Sequence, residues 1–167
     1  MTLTNAPTLQ TDRLILRGPE RDDLPALTTM LTTSDRMSTL GGTVSATQAR
    51  VAFLTNIGRW HHDGFGYFTL TRHDDPAPLG RVGLLSYPHD AVELAWHVFD
   101  GAEGHGFVVE AATAIRIWAR NEGLAPLVSY IDPANTRSRA TASRLGANTN
   151  GTRAPHDPLC EVWNHPA

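Results

Sequence analysis

The stretch from Glu93 to Ala112 constrains this chain more than any other. Apolar residues of strand character, Leu94-Ala95-Trp96-His97-Val98-Phe99, stop at Asp100-Gly101. The chain then passes through Gly104 and Gly106 before apolar residues resume at helical spacing. The pattern predicts strand, glycine-rich turn and helix. Such a turn brings bare amides to the start of a helix, where unpaired N–H groups and the positive end of the helix dipole favour an anion, phosphate above all. Glycines also end strands for steric reasons alone, so the neighbours decide what the turn does. A Walker loop needs a lysine followed by Ser or Thr, and the fourteen basic residues are all arginine, which excludes it. The dinucleotide fingerprint needs a third glycine where Val109 stands, which argues against a nicotinamide site.

Lack of lysine also removes Schiff-base chemistry and a lysine general base. A base has to be a carboxylate, histidine, tyrosine, the lone Cys160 or water. With 167 residues, 41% hydrophobic and 19% charged, the chain fits one domain spanning 1–167. A net charge of −3 with scattered arginines gives no footprint for nucleic acid. No segment has the length of a membrane span, and Met1 to Pro7 lacks the charged head and apolar core of a signal peptide. A single cysteine fits a reducing compartment, so a cytoplasmic location is expected.

Taken in order, Thr11 to Arg17 alternates as a first strand, and Pro19 to Asp23 opens a helix with Leu24, Leu27 and Leu31 inward. Gly41-Gly42 breaks the chain. Ser45 or Thr47 caps a second helix running to His62, with Val51, Leu54 and Ile57 or Gly58 expected inside. Phe65 to Thr71, Leu79 to Tyr87 and the strand at Glu93 then form an antiparallel meander, and Gly80 and Gly83 suggest a bulge or a close neighbour. A third helix runs from Gly106 to Asn121 with Val109, Ala112, Ile115 and Trp118 or Ala119 as its buried stripe. Leu127 to Ile131 is a compact strand, which the crossover makes parallel to the strand at Glu93. Asn135 is the N-cap of a short helix from Arg137 to Leu145, Gly146 its C′ residue, and Asn148–Arg153 and Leu159–Asn164 are candidate final strands.

Glu93 before an apolar strand, Gly104-His105-Gly106-Phe107 and Glu110-Ala111 resemble the pyrophosphate loop of the GNAT superfamily, the acetyl-CoA-dependent N-acetyltransferases. The similarity is greatest to the branch of the ribosomal-protein-alanine acetyltransferases, where the loop often reads Gly-Lys-Gly-Tyr-Ala-Thr-Glu-Ala. Thr11-Asp12-Arg13-Leu14-Ile15-Leu16-Arg17 is similar to that branch's opening Thr-x-Arg-Leu-x-Leu-Arg. Asn135 to Ser138, with Leu145-Gly146-Ala147 after it, resembles a third segment, Asn-x-x-Ser leading to Leu-Gly-Phe. Gly101 departs from the Arg or Gln of the longer loop pattern, which removes one contact to CoA, and Ala147 departs from the Phe.

The resemblance implies an α/β fold of the α+β type. A mixed, mostly antiparallel sheet of six to seven strands is flanked by about four helices, with strands four and five parallel and splayed. It implies transfer of an acetyl group from acetyl-CoA to a primary amine by direct attack, without a metal. The partners it implies are acetyl-CoA and an amine, with neither nucleic acid nor membrane, and a homodimer stays open. Trp96, His97, Val98 and Phe99 on the strand and Gly101, Ala102, Glu103, Gly104, His105, Gly106 and Phe107 in the turn would hold the cofactor, with the strand backbone near Trp96 to Val98 as oxyanion donor. Asn135 and Ser138 would cap the helix and also touch pantetheine or a catalytic water, and Tyr130 would protonate a departing thiolate.

Strand parity puts Glu93, Ala95, His97 and Phe99 on one face, and Val92, Leu94, Trp96 and Val98 on the other. A carboxylate in such a strand is costly unless solvated, paired or used. Glu93 is therefore the first candidate base, acting through a raised pKa, with His97 or water behind it. Against each stands a structural reading: an exposed strand face for Glu93, a packed histidine for His97, a core ring for Tyr130. His61, His62 and His156 form no metal-ligand spacing, and Cys160 reads as a small core residue of the last strand. A GNAT-fold protein that binds acyl-CoA as a sensor without catalysis is the competing reading.

Overall fold

The structure, a computed structural model, describes residues 3–88 and 91–166. Seven strands lie in one sheet in chain order: β1 (Leu9–Gln10), β2 (Leu14–Arg17), β3 (Tyr67–Arg72), β4 (Gly80–Leu85), β5 (Val92–Val98), β6 (Leu127–Ile131) and β7 (Glu161–Asn164). Four α-helices, α1 (Leu24–Thr33), α2 (Ala46–His62), α3 (Phe107–Asn121) and α4 (Thr136–Arg144), join them. All neighbouring strands are antiparallel except β5 and β6. This is the expected mixed sheet. The expected first strand, Thr11 to Arg17, shortens to β2, because Thr11 N–H turns back to the Leu14 carbonyl, and Leu9–Gln10 before that turn pairs with it as β1.

α3 covers one face. Leu14, Leu16, Phe68, Val82, Leu84 and Leu94 from the strands bury against Phe107, Val108, Ala111, Ala112 and Ile115. On the other face Leu27, Met30 and Leu31 of α1 meet Ala49 and Phe53 of α2 and Phe99 after β5. The parity of β5 follows: Val92, Leu94, Trp96 and Val98 pack with the α3 cluster, and Phe99 with α1 and α2.

The face of α2 departs from expectation. Val51 and Leu54 are 57% and 47% exposed, while Ala49, Phe53, Asn56 and Trp60 are buried. The stripe was hidden because one member is polar. Asn56 Oδ1 accepts from Tyr67 N–H (2.7 Å), its Nδ2 donates to the Tyr67 carbonyl (3.1 Å), and Trp60 Nε1 donates to the same oxygen (3.0 Å). These bonds satisfy the first backbone groups of β3, so burial of an amide costs little. Gly83 reflects close approach, since a Cβ there would lie 2.1 Å from the Gly66 carbonyl oxygen. The segment 148–153 is no strand. Asn148 and Arg153 make only isolated bridges to Asn164 and Glu161.

β5 and β6 are in register only at Val92 with Leu127 and Glu93 with Val128. Beyond that they part, although β5 stays paired with β4 from Glu93 to Val98. Where the ladder stops, Ser129 Oγ donates to the Leu94 carbonyl (2.5 Å) and is bonded by His165 Nε2 (2.8 Å). Ser129 gives its proton to Leu94, so His165 carries hydrogen on Nε2. Its ring stays neutral, with the pKa lowered to about 4 by burial and then by nearby Arg116. The buried Ser–His pair thus stands in for a missing ladder amide and holds the strands apart.

Candidate active site

β5 runs into the glycine turn, where Gly101 (φ 93°), Gly104 (79°) and Gly106 (75°) take left-handed backbone that is cheap only for glycine. Gly106 is the N-cap of α3 and has no side chain to offer its first turn, so the N–H groups of Phe107 and Val108 are free for an anion. A Cβ on Gly104 would meet nothing within 4 Å, and one on Gly106 only Arg13 Nη2 at 3.7 Å, so the turn's surface is open. A pyrophosphate fits such a surface.

Glu110, one turn into α3, holds this loop from behind. Its carboxylate accepts from Thr11 Oγ1 (2.5 Å), Arg13 N–H (2.9 Å) and Arg13 Nε (2.6 Å), and Arg13 Nη1 donates to the His105 carbonyl (2.9 Å). Burial opposes ionisation of Glu110, but the Thr11 hydroxyl and the Arg13 amide and guanidinium outweigh it and hold the pKa below the ordinary value.

A cleft of about 510 Å³ leads from Gly104, Gly106 and Val108 along Trp96 and Val98 to Asn135, the N-cap of α4, and Ser138 in its first turn. Arg36, Arg137 and Arg144 bring positive charge to its walls, and none was singled out from the sequence. The charge expected in place of Gly101 is absent there, while Arg36 on the opposite wall bonds Asp100 (3.0 Å) and Glu103 (3.0 Å) of the turn. A second cavity of about 470 Å³, lined by Tyr67, Tyr87, Glu93 and Tyr130, shares Trp96, His97, Asn135 and Ser138 with the first. The two meet at the gap between β5 and β6. Phe99 N–H turns to Leu79 in the β4 direction and the Leu94 carbonyl turns to β6, so the even residues of β5 face the gap. The amides of Trp96 and Val98 therefore point where no strand pairs with them.

Glu93 is buried, 8% exposed. Burial drives its pKa up to about 7, against opposing help from the Tyr87 hydroxyl, His156, the Tyr130 backbone and Arg59. Tyr87, which the sequence reading did not weigh, is reached because the β4–β5 hairpin pairs Leu85 with Glu93 and leaves Tyr87 just beyond. Its hydroxyl is held protonated, chiefly by burial and by the Glu93 charge. His97 is differently placed. Arg81 Nε donates to its Nδ1 (3.0 Å), and burial, then Arg81, push its pKa well below the usual histidine value. The ring stays neutral with its accepting nitrogen occupied.

Asn135 Oδ1 caps α4 by accepting from Ser138 N–H (3.1 Å), and Ser138 Oγ accepts from Trp96 Nε1 (3.3 Å) across the gap. Tyr130 borders the second cavity, its ring edge-on to Tyr87 (6.2 Å) and to His156 (4.6 Å). Of the turn and strand residues named above, Ala102, Glu103 and Phe107 also line the first cleft. Phe99, Gly101 and His105 do not. Phe99 packs in the α1–α2 cluster, the Gly101 amide donates to Glu103 Oε2 (2.6 Å), and His105 faces Arg13 and Phe107 outside. Cys160 is no core residue of β7 but half-buried in the turn before it, where burial and then Asp157 raise its pKa to about 12. Among the described residues no cluster of His, Cys, Asp or Glu can hold a metal ion, and no helix is long and apolar enough to cross a membrane.

Residues 13–148 match the acetyltransferase (GNAT) domain family. The chain belongs to the GNAT acetyltransferases. Its fold is theirs: an acetyltransferase from Agrobacterium tumefaciens superposes with a TM-score of 0.88 at 32% identity, over 96% of this chain and 95% of that one. A GNAT-family protein from Bordetella pertussis reaches 0.78 at 22% identity, over 96% and 99%. The enzyme from Salmonella typhimurium described as modifying the N-terminal serine of ribosomal protein L7/L12 reaches 0.73 at 15% identity, over 93% and 94%. No match was found among curated proteins. GNAT membership assigns acetyl transfer, with acetyl-CoA as the donor the family implies.

Proposed function

We propose that this GNAT protein transfers the acetyl group of acetyl-CoA to a primary amine by direct attack, with Glu93 as the base. The observation that carries the reading is a buried carboxylate with a pKa near 7, facing a cavity that opens onto the cofactor cleft at the strand gap. A group of that pKa is half ionised at neutral pH and can take the proton that the neutral amine's nitrogen loses as the C–N bond forms. Acetyl-CoA supplies the acyl carbon. The amine nitrogen forms the new C–N bond, the C–S bond breaks, and the nitrogen's proton passes to Glu93 directly or through water. The thiolate takes a proton from Tyr130 or solvent. The amides of Trp96 and Val98 in the gap suit the carbonyl oxygen as charge builds on it. The open amides at Gly104 and Gly106 suit the pyrophosphate, and Asn135 and Ser138 the pantetheine arm.

Glu93→Gln keeps the shape and removes the base. General-base assistance contributes roughly 10²–10⁴ in rate, so turnover at neutral pH falls by at least about tenfold while acetyl-CoA affinity holds. CoA release against an amine panel measures the first and thermal shift the second. Turnover within twofold of the parent would leave Glu93 a packing residue. A protein that shifts with acetyl-CoA but releases no CoA with any amine would be a sensor instead.

A further inference from the structure

We infer that the acceptor is a carboxylate-free primary amine with an aromatic or apolar body, a deepening that rests on the amine-transfer reading above. The walls of the second cavity carry the carboxylates of Glu93, Asp132 and Asp157 and the rings of Tyr87, Tyr130 and His156. His156 stacks on Tyr87 at 3.9 Å and meets Tyr130 edge-on, which makes one continuous aromatic wall beside Glu93. No arginine is among the described residues of that lining, and the chain has no lysine. Arg81 lies over the Tyr67 ring (4.3 Å) and Arg59 over the Tyr87 ring (5.9 Å), both outside the described lining.

An ammonium entering this cavity meets negative charge and π-faces, both of which attract it. An α-carboxylate on the same carbon would come within a few ångströms of Glu93, partly desolvated, with no arginine on the described lining to pair with it. At the start of α4 the Ser138 amide is already taken by Asn135 Oδ1. The cavity thus selects against free amino acids. It accepts an amine whose neighbouring carbon is uncharged, either a free aralkylamine or a peptide N-terminus.

The test is CoA release with tyramine, tyrosinamide and tyrosine, with rates expressed per unprotonated amine. Tyramine and tyrosine share ring and amine and differ in the carboxylate alone. Tyramine exceeds tyrosine in kcat/KM by at least roughly tenfold, the scale of one close unscreened like-charge contact. Tyrosinamide exceeding tyramine assigns the acceptor to peptide N-termini, and tyramine exceeding tyrosinamide assigns it to free amines. Tyrosine used equally well or better overturns the inference, and means that its carboxylate reaches Arg59, whose buried Nη1 has no partner. Release with none of the three but with other amines of the panel overturns this inference and leaves the amine-transfer reading standing; release with no amine at all, under acetyl-CoA that shifts the thermal midpoint, overturns both. Asp157→Arg supplies the missing cation and shrinks the handicap of tyrosine severalfold. Asp157→Asn, which keeps the oxygen that caps Leu159 N–H (3.1 Å), shrinks it less and guards against misfolding. Unchanged selectivity in both folded variants overturns the role of this wall.

Discussion

At the scale of single residues, Glu93 and His97 show how two strand neighbours of the same face acquire opposite characters. Glu93 is buried and His97 half-buried, and removal from water favours the neutral form of each: it raises the pKa of the acid and lowers that of the base. Arg81 then makes the histidine harder still to protonate, while Glu93 keeps only weak help for its charge. Glu93 therefore titrates near neutrality and His97 does not, a difference no pattern of strand parity contains. It has a measurable cost. The folded pKa of Glu93 lies above its unfolded value, so the fold binds its proton more tightly than the unfolded chain. The associated stability is complete below the ordinary carboxylate pKa and is lost as pH rises to about 7. The loss is on the order of 3 kcal/mol. Glu93→Gln does not titrate, so its thermal midpoint relative to the parent rises between pH 5 and pH 8. A constant difference across that range would mean that Glu93 is solvated and its pKa ordinary.

At the scale of elements, the turn and the α3 N-terminus act as one unit with the β1–β2 corner, because Glu110 ties Thr11 and Arg13 to the loop. Gly104→Val puts a β-branched side chain where φ is +79° and over the amide face, while touching no core residue. Strain of roughly 1–3 kcal/mol leaves a fold of ordinary stability intact. Acetyl-CoA affinity, read by titration calorimetry, drops by more than that strain accounts for. Normal affinity in a folded variant would mean the pyrophosphate binds elsewhere. The strand–turn–helix unit was legible because glycines and helical periodicity are local signals. The Glu110 anchor was not, since its partners lie nearly a hundred residues away and all three of its bonds run to Thr11 and Arg13 of a segment that reads as strand. The inner face of α2 was lost for a related reason: Asn56 looks like a surface residue until β3 supplies backbone partners for its amide. Tyr87 and the arginines of the cleft escaped notice because only the hairpin and the helix packing bring them to the site.

At the scale of the whole molecule, the sheet serves mainly to hold one defect. β5 is paired along its length with β4 but leaves β6 after Glu93, and Ser129 with His165 fills the first unpaired position. The gap joins the two cavities, so a ligand that spans turn and gap binds only the folded chain. Such a ligand raises stability by about 2.7 kcal/mol at a hundred times its Kd. For a domain of this size that shifts the midpoint by roughly 5–10 °C. Acetyl-CoA has a pyrophosphate for the open amides at Gly104 and Gly106 and a pantetheine arm long enough to enter the gap. NAD shares only the pyrophosphate, and Val109 stands where its fingerprint needs a third glycine. ATP offers phosphates to a turn without a lysine. The midpoint therefore climbs with acetyl-CoA concentration and moves much less with NAD or ATP at equal concentration, as differential scanning fluorimetry measures. Shifts of equal size with NAD would mean that the turn alone does the binding and that the strand gap takes no part in holding the cofactor.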